Sequence, residues 1–506
     1  MHPTSYRPVL FCIFIFTLLQ AILILNSSLL PFQDLPNHLA EASIYKYILQ
    51  GDTVISQYYK LVPWYYPNTF YLVFCNFFSS VELANKFFYI LVAGAMPFSI
   101  YLIIKELKGN CWYCLLSVFF TYNYNVSYGF SGFSIAIPTL FMLFYVLLME
   151  IKENRILWRI AASLLLLLLF FMQAQMALFG LTLFFSLMIF RYWGRYKILF
   201  GRLAGGVPII VLLLIWWVTR AGAKEESTLV FLWDYFKTSY FQTFVLRFRL
   251  IFFDNFQLCE GWMGLLIASI FSMSIFLPLL IHRVWKSGTG RRQFSRDLQY
   301  PVLFFLISLG CYLFLPAGLP GEQVIYQRFS PVLLLSVIII GSILLKDRET
   351  KWLKYFSIIL ACLYTFLWME YIYSFNRENR SFDPAFFSGI NRQSIMAGYI
   401  YDNKYRGRPV YIQFPSYFIV WKKGIATSKI IDYRFGVIRR GIKGKQIPYY
   451  EEWPEEIDKI PTDYSALDYL LVKGKASVKP DSNLLNFNLF RKEGSWQIFR
   501  NKKAKW

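Results

Sequence analysis

Asn68-Thr69-Phe70-Tyr71-Leu72-Val73-Phe74-Cys75-Asn76-Phe77-Phe78-Ser79-Ser80-Val81 is the stretch on which the fold turns. It is apolar enough to enter a bilayer but too short to cross one as a helix, which takes about 20 residues. Basic residues decide its reading. If it is not a span, the apolar runs around it alternate so that nearly every short loop on one side is basic. Those loops carry Lys105 and Lys108; Lys152, Arg155 and Arg159; Arg191, Arg195, Lys197 and Arg202; Arg283, Lys286, Arg291, Arg292 and Arg296; and Lys346, Arg348, Lys351 and Lys354. Counting it as a span puts these clusters outside, against the positive-inside bias. The expectation is therefore about eleven spans: a retained first one within 1–30, then 83–105, 112–128, 133–151, 156–173, 174–191, 198–219, 262–281, 300–315, 329–346 and 352–375. The N-terminus is cytoplasmic and the C-terminus extracytoplasmic.

Composition agrees with a polytopic α-helical membrane protein. Of 506 residues, 57% are hydrophobic, 20% aromatic and only 16% charged, with mean hydropathy +0.42, well away from the soluble average. The net charge of +22 sits mostly in short loops and in the C-terminal segment. Topology and anionic membrane lipid account for it, and nucleic acid is not an expected partner. The seven cysteines are scattered, with none beyond Cys362, so a disulfide framework is excluded. Cys111 and Cys114 form a lone CxxC at a predicted helix start.

This topology gathers the polar groups on the outer face. The first outer loop, 31–81, begins with Phe32-Gln33-Asp34-Leu35-Pro36-Asn37-His38-Leu39-Ala40-Glu41. If Asp34 opens a helix, with Pro36 tolerated in its first turn, then Asp34, His38 and Glu41 share one face. A carboxylate one turn from an imidazole binds a divalent metal such as Mg or Mn, with Asp34 and His38 as ligands, or acts as a base. The same residues also make an ordinary helix start at an interface. The run from Ile156 to Phe190 is too long for one helix and must turn near Gln173-Ala174-Gln175, whose amides either cap helix ends or meet a sugar hydroxyl.

Residues 1–376 thus form the membrane domain, and 377–506 have soluble composition. Alternation at 409–414, 468–472 and 495–499 predicts strands, and a helical pattern covers 384–404. A small α+β or α/β domain of about 130 residues is large enough for its own core. Its basic end, Arg500 to Lys505, suits either anionic headgroups or plain solvation.

Taken together, the chain resembles the GT-C class of integral-membrane glycosyltransferases, which includes protein mannosyltransferases and arabinosyl- and oligosaccharyltransferases. It shares with them many spans, an acidic residue just after the first span, amphipathic helices in the first outer loop and a soluble C-terminal domain. It is similar in particular to a group of bacterial membrane proteins with three ordered motifs. Here these are Asp34-Leu35-Pro36-Asn37-His38-Leu39-Ala40, Tyr128-Gly129-Phe130-Ser131-Gly132-Phe133, and Pro316-Ala317-Gly318 followed by Arg328-Phe329. Where such proteins tend to carry His between the fifth and sixth spans, this chain has Gln175.

The resemblance implies transfer of a sugar from a polyprenyl-phosphate donor to a glycan, lipid or protein acceptor outside a bacterial inner membrane. Asp34 is then the base or a ligand of a metal on the donor phosphate, with His38 and Glu41 beside it. Arg328, whose planar fork suits phosphate oxygens, is the expected cation, with Glu322 as its partner or a metal holder; snorkelling to headgroups is the alternative. Tyr124 and Asn125 are candidates for a sugar-pocket wall, with plain interfacial packing as the alternative, and Arg247 and Arg249, near Asp254 and Glu260, for reaching phosphate or saccharide, with lipid contact as the alternative. The rivals are a transporter or flippase of lipid-linked saccharide and a non-catalytic envelope-complex subunit. Midspan charges and internal repeats, which a transporter usually shows, are not evident. Nothing resembles a phosphate-cradling glycine loop, a serine elbow or a zinc-spaced cysteine cluster.

Overall fold

The computed structural model describes residues 6–220, 240–285, 296–319, 322–346, 351–427, 436–440, 464–474 and 486–503. Lys286, Arg291, Arg292, Arg348 and Lys505 lie outside the described residues, as do residues 221–239 of the outer segment that precedes the eighth expected span.

Among the described residues, seven helices are long and apolar enough to cross a membrane: Tyr6–Asn26, Val81–Glu106, Ser131–Glu153, Ala174–Tyr192, Tyr196–Thr219, Tyr326–Leu344 and Lys351–Glu378. Ile156–Met172, Gly261–Leu277 and Leu298–Phe314 are shorter apolar helices. The opening stretch forms only a seven-residue helix, Phe70–Asn76. The long run after Ile156 breaks at Gln173, whose extended backbone (φ −164°, ψ 118°) ends one helix and begins the next. Gly132 packs against that break: a Cβ there would lie 2.4 Å from the Met172 carbonyl oxygen.

Of the eleven expected spans, seven coincide with the long helices and three with the shorter ones; the remaining one differs in kind. Residues 112–128 do not form an α-helix; Cys111–Thr121 is a 3₁₀ helix, followed by the short helix Tyr124–Tyr128. The side chains of Ser117 and Thr121, and of Asn123 just past the end, donate to the carbonyls of Cys114, Val118 and Phe120, three residues back. The segment is buried from Tyr113 through Ser127, so its backbone is shielded from lipid. At about 2 Å rise per residue it covers the depth of a longer α-helix. Its start is fastened by the Asn110 amide, which donates to the Ser342 carbonyl at 2.8 Å, and its Tyr113 ring presses on Gly341, where any side chain would collide with it.

The chain divides into two compact units, one of residues 1–23, 89–126 and 132–370, the other of 24–88, 127–131 and 371–506. Among its described residues the first is helical apart from the two-residue strands Gly318–Leu319 and Glu322–Gln323. In the second, the loop after the first span folds with the C-terminal segment. Strand Tyr59–Leu61 pairs antiparallel with Ile438–Arg440. Leu29 and Asn376 exchange reciprocal bonds at 2.9 and 3.0 Å. Asp52 receives two bonds from Arg392 at 2.7 and 2.8 Å, and Trp421 Nε1 donates to Glu82 at 2.7 Å.

The same unit holds a five-stranded mixed sheet in the order Ile425–Ala426, Ile395–Ile400, Tyr469–Lys473, Trp496–Asn501, Phe487–Glu493. The first three strands run parallel and the last two antiparallel to their neighbours. The strands expected at 468–472 and 495–499 are present, shifted by about one residue. Two expectations fail. Residues 384–404 are not a helix but a 3₁₀ turn, Pro384–Phe387, and the strand Ile395–Ile400; Gly389, at φ +81°, turns the chain between them. Residues 409–414 are not a strand but lead into the 3₁₀ turn Phe414–Ser416; the run is buried from Val410 onward rather than alternately, a case in which periodicity does not distinguish strand from other structure. Phe414 instead stacks on Trp496, rings 5.2 Å apart and 10° from parallel, while Phe382 meets the same indole at 4.4 Å.

Trp496 is completely buried. Trp496→Ala is expected to remove about 3–5 kcal/mol, read as a lowered unfolding midpoint of the detergent-purified protein.

Candidate functional site

The acidic motif becomes a helix start. Asp34 is the N-cap of the largely buried helix Leu35–Leu49, with Pro36 in its first turn, and its carbonyl accepts the His38 amide at 3.1 Å. The Asp34 carboxylate does not cap its own helix. Main-chain bonds hold it in place: the amides of Gln33 and Asp34 donate to the carbonyls of Ser127 and Tyr128 at 3.1 and 3.0 Å. Gly129 comes next in the chain at φ +78°, where an added Cβ would meet the Asp34–Leu35 backbone. Two motifs some ninety residues apart in sequence thus form one main-chain pairing.

One turn on, His38 Nδ1 lies 3.1 Å from Glu41 Oε2, and both side chains are largely buried. A carboxylate at Nδ1 fixes the ring and, with the proton on that nitrogen, leaves a lone pair on Nε2. Tyr71 meets His38 edge-on, centroids 6.1 Å apart, and donates its hydroxyl to Asn85 Oδ1 at 2.8 Å. On the helix itself Asn37 is fully buried and accepts the Ser416 hydroxyl. Sequence reasoning missed Tyr71, Asn85 and Ser416. Their only signal is polarity within apolar surroundings, which does not reveal the partner.

Among the described residues no three His, Cys, Asp or Glu side chains group as a metal set, and His38 Nδ1 is engaged by Glu41. A Mg or Mn ion is commonly held by one or two protein ligands together with water and substrate phosphate; Asp34 and His38 would be the protein ligands here, and no chemical step is routed through such an ion.

The other predicted residues lie in the first unit. Arg328 sits in the 3₁₀ turn Tyr326–Phe329 that leads into the helix Ser330–Leu344. Its guanidinium lies 5.1 Å from the Phe133 ring centroid, and its carbonyl accepts from Asn125 Nδ2 at 2.9 Å. Phe329 meets Phe133 edge-on at 5.9 Å and stacks on Phe179 at 5.8 Å. Gln175 precedes Phe179 by one helical turn. Asn125 Oδ1, Gln175 Oε1 and Gln327 Oε1 are buried and accept no hydrogen bond from the described residues. Tyr124 is buried beside Asn125 in the chain. Glu322 lies in the short strand Glu322–Gln323, and its side chain is outside what the structure describes.

Arg247 and Arg249 have different environments. Arg247 is buried, donating to the carbonyls of Tyr312 and of Leu315 (2.8 Å), with the Tyr326 ring 3.7 Å from its guanidinium. Tyr312 returns its hydroxyl to the Arg247 carbonyl. This commits the Arg247 side chain to joining two helices. Arg249 is exposed and pairs with Asp254 at 3.3 Å, and Glu260 is exposed.

No family model and no curated protein matches this sequence, so the likeness to GT-C enzymes rests on the architecture and motifs given above.

Removing the buried guanidinium strands two carbonyls. Arg247→Ala is expected to cost about 1.5–3 kcal/mol for the charged hydrogen bonds, with Arg247→Lys recovering only part because an ammonium lacks the planar fork. Thermal unfolding in detergent reads both changes.

Proposed function

We propose that this protein is a membrane glycosyltransferase. It moves a sugar from a polyprenyl-phosphate donor to a glycan, lipid or protein acceptor of the cell envelope, on the outer face of a bacterial inner membrane. The observation that carries this reading is the acidic helix start, where Asp34 is held by main-chain bonds one turn from the buried His38–Glu41 pair. A helix start whose backbone is fixed by main-chain bonds gives its carboxylate a defined origin, which suits a general base, whose position matters more than its contribution to stability.

In the proposed reaction Asp34 accepts the proton from an acceptor hydroxyl as that oxygen attacks the anomeric carbon. The bond from that carbon to the phosphate oxygen breaks, and polyprenyl phosphate leaves with the electron pair. His38, oriented by Glu41, hydrogen-bonds a substrate oxygen. The anionic leaving group needs a cation, and Arg328 is assigned that role, since a guanidinium close to the membrane is costly without a purpose. Asn125, Gln175 and Gln327 supply buried carboxamide oxygens, which suit the hydroxyl donors of a sugar: an acceptor left dry costs about 1–3 kcal/mol. The surplus Lys and Arg of the C-terminal segment are assigned to anionic headgroups on the extracytoplasmic side.

The test is release of polyprenyl phosphate from a panel of polyprenyl-phosphate sugars by purified protein in lipid, with acceptors and with or without divalent metal. Asp34→Asn is expected to lower turnover by roughly 10²–10⁴ with donor binding retained, whereas Arg328→Ala weakens donor binding about tenfold or more. Wild-type protein that releases nothing, together with an Asp34→Asn variant that still supports the cellular role, would sink catalysis at Asp34 and favour transport.

A further inference from the structure

Gly129 lies outside every role assigned so far, yet its backbone is the surface against which Asp34 is set. It adopts φ +78°, and a Cβ built on it would lie 2.8 Å from the Leu35 nitrogen and 3.0 Å from the Asp34 nitrogen. Both contacts are with backbone, which cannot swing aside as a side-chain end can. The two residues before it accept the amides of Gln33 and Asp34. Any side chain at 129 therefore pushes the helix start away from the carbonyls that hold it.

We infer that Gly129 is a positioning residue for Asp34: its missing side chain lets the 127–129 backbone clamp residues 33–35 and so sets where the Asp34 carboxylate stands relative to substrate. The catalytic half of this rests on Asp34 being the base. The clamp itself does not.

Gly51 provides the control. It has nearly the same backbone angle, φ +79°, but a Cβ there meets nothing within 4 Å. Gly51→Ala thus carries the conformational penalty of a left-handed residue without the close approach. Gly129→Asn complements Gly129→Ala, since Asn tolerates positive φ but still brings a Cβ.

The experiment uses the full chain in lipid vesicles, with hydrogen–deuterium exchange followed at residues 33–35 and at the strand Tyr469–Lys473, alongside donor turnover. Both Gly129 variants are expected to exchange roughly tenfold or more faster at 33–35, with the strand unaffected and Gly51→Ala like wild type. Turnover (kcat) should fall roughly a hundredfold, with the donor KM held within about threefold. Wild-type protection at 33–35 in the Gly129 variants overturns the inference, as does an equal effect of Gly51→Ala. Faster exchange across Tyr469–Lys473 as well assigns Gly129 to general folding and also overturns it. If the wild-type protein transfers no sugar, the exchange measurement still decides the clamp, and the failure belongs to the catalytic reading alone.

Discussion

Two main-chain hydrogen bonds, from the amides of Gln33 and Asp34 to the carbonyls of Ser127 and Tyr128, set the start of the helix around which the second unit is built. A helix beginning with Asp, Leu and Pro has orphan amides in its first turn, and Pro36 removes one of them. The carboxylate that ordinarily satisfies the rest does not cap here, so another strip of backbone fixes the approach to the helix. Gly129 makes that approach sterically possible.

The later turns of the helix inherit their placement from that start. Asn37 meets Ser416, and His38 meets Glu41 and the edge of Tyr71. Tyr47 donates to the Val420 carbonyl at 3.1 Å, and Lys46 closes on the carbonyls of Phe78 and Ser79. The loop after the first span and the C-terminal segment therefore share one core, with the Phe382, Phe414 and Trp496 rings packed together within it. Even the excess of basic residues is partly internal. Lys473 is buried, with Asp402 2.8 Å away and the Tyr411 ring 3.8 Å from its ammonium, an arrangement that compensates the desolvation of a charge.

Charge in the first unit divides in the same way between structure and surface. Arg247 and Arg249 are two residues apart on one helix, and sequence spacing treats them alike. One is buried against carbonyls and rings, the other exposed beside Asp254. Helical geometry separates them by about 200°, and only the neighbouring elements decide which side is inside. Cys111–Thr121 makes a similar point, since its apolar run reads as a membrane helix by composition while the folded segment is a buried 3₁₀ helix.

By itself the sequence determined the apolar helices, the break at Gln173, the exclusion of residues 68–81 as a long helix and the helix start at Asp34, because each follows from local hydrophobic length, proline and cap chemistry. It determined two of the C-terminal strands as well, where β-branched and aromatic residues are bounded by turn signals. Tertiary structure alone decided that 384–404 contains a strand and that 409–414 does not, since a run buried on every side carries no period. It alone joined Asp34 to Tyr128 and Gly129, and Asn37 to Ser416. Those contacts link backbone and small polar groups tens to hundreds of residues apart, and their partners are set by which surfaces meet when apolar area is buried, a property no local stretch encodes.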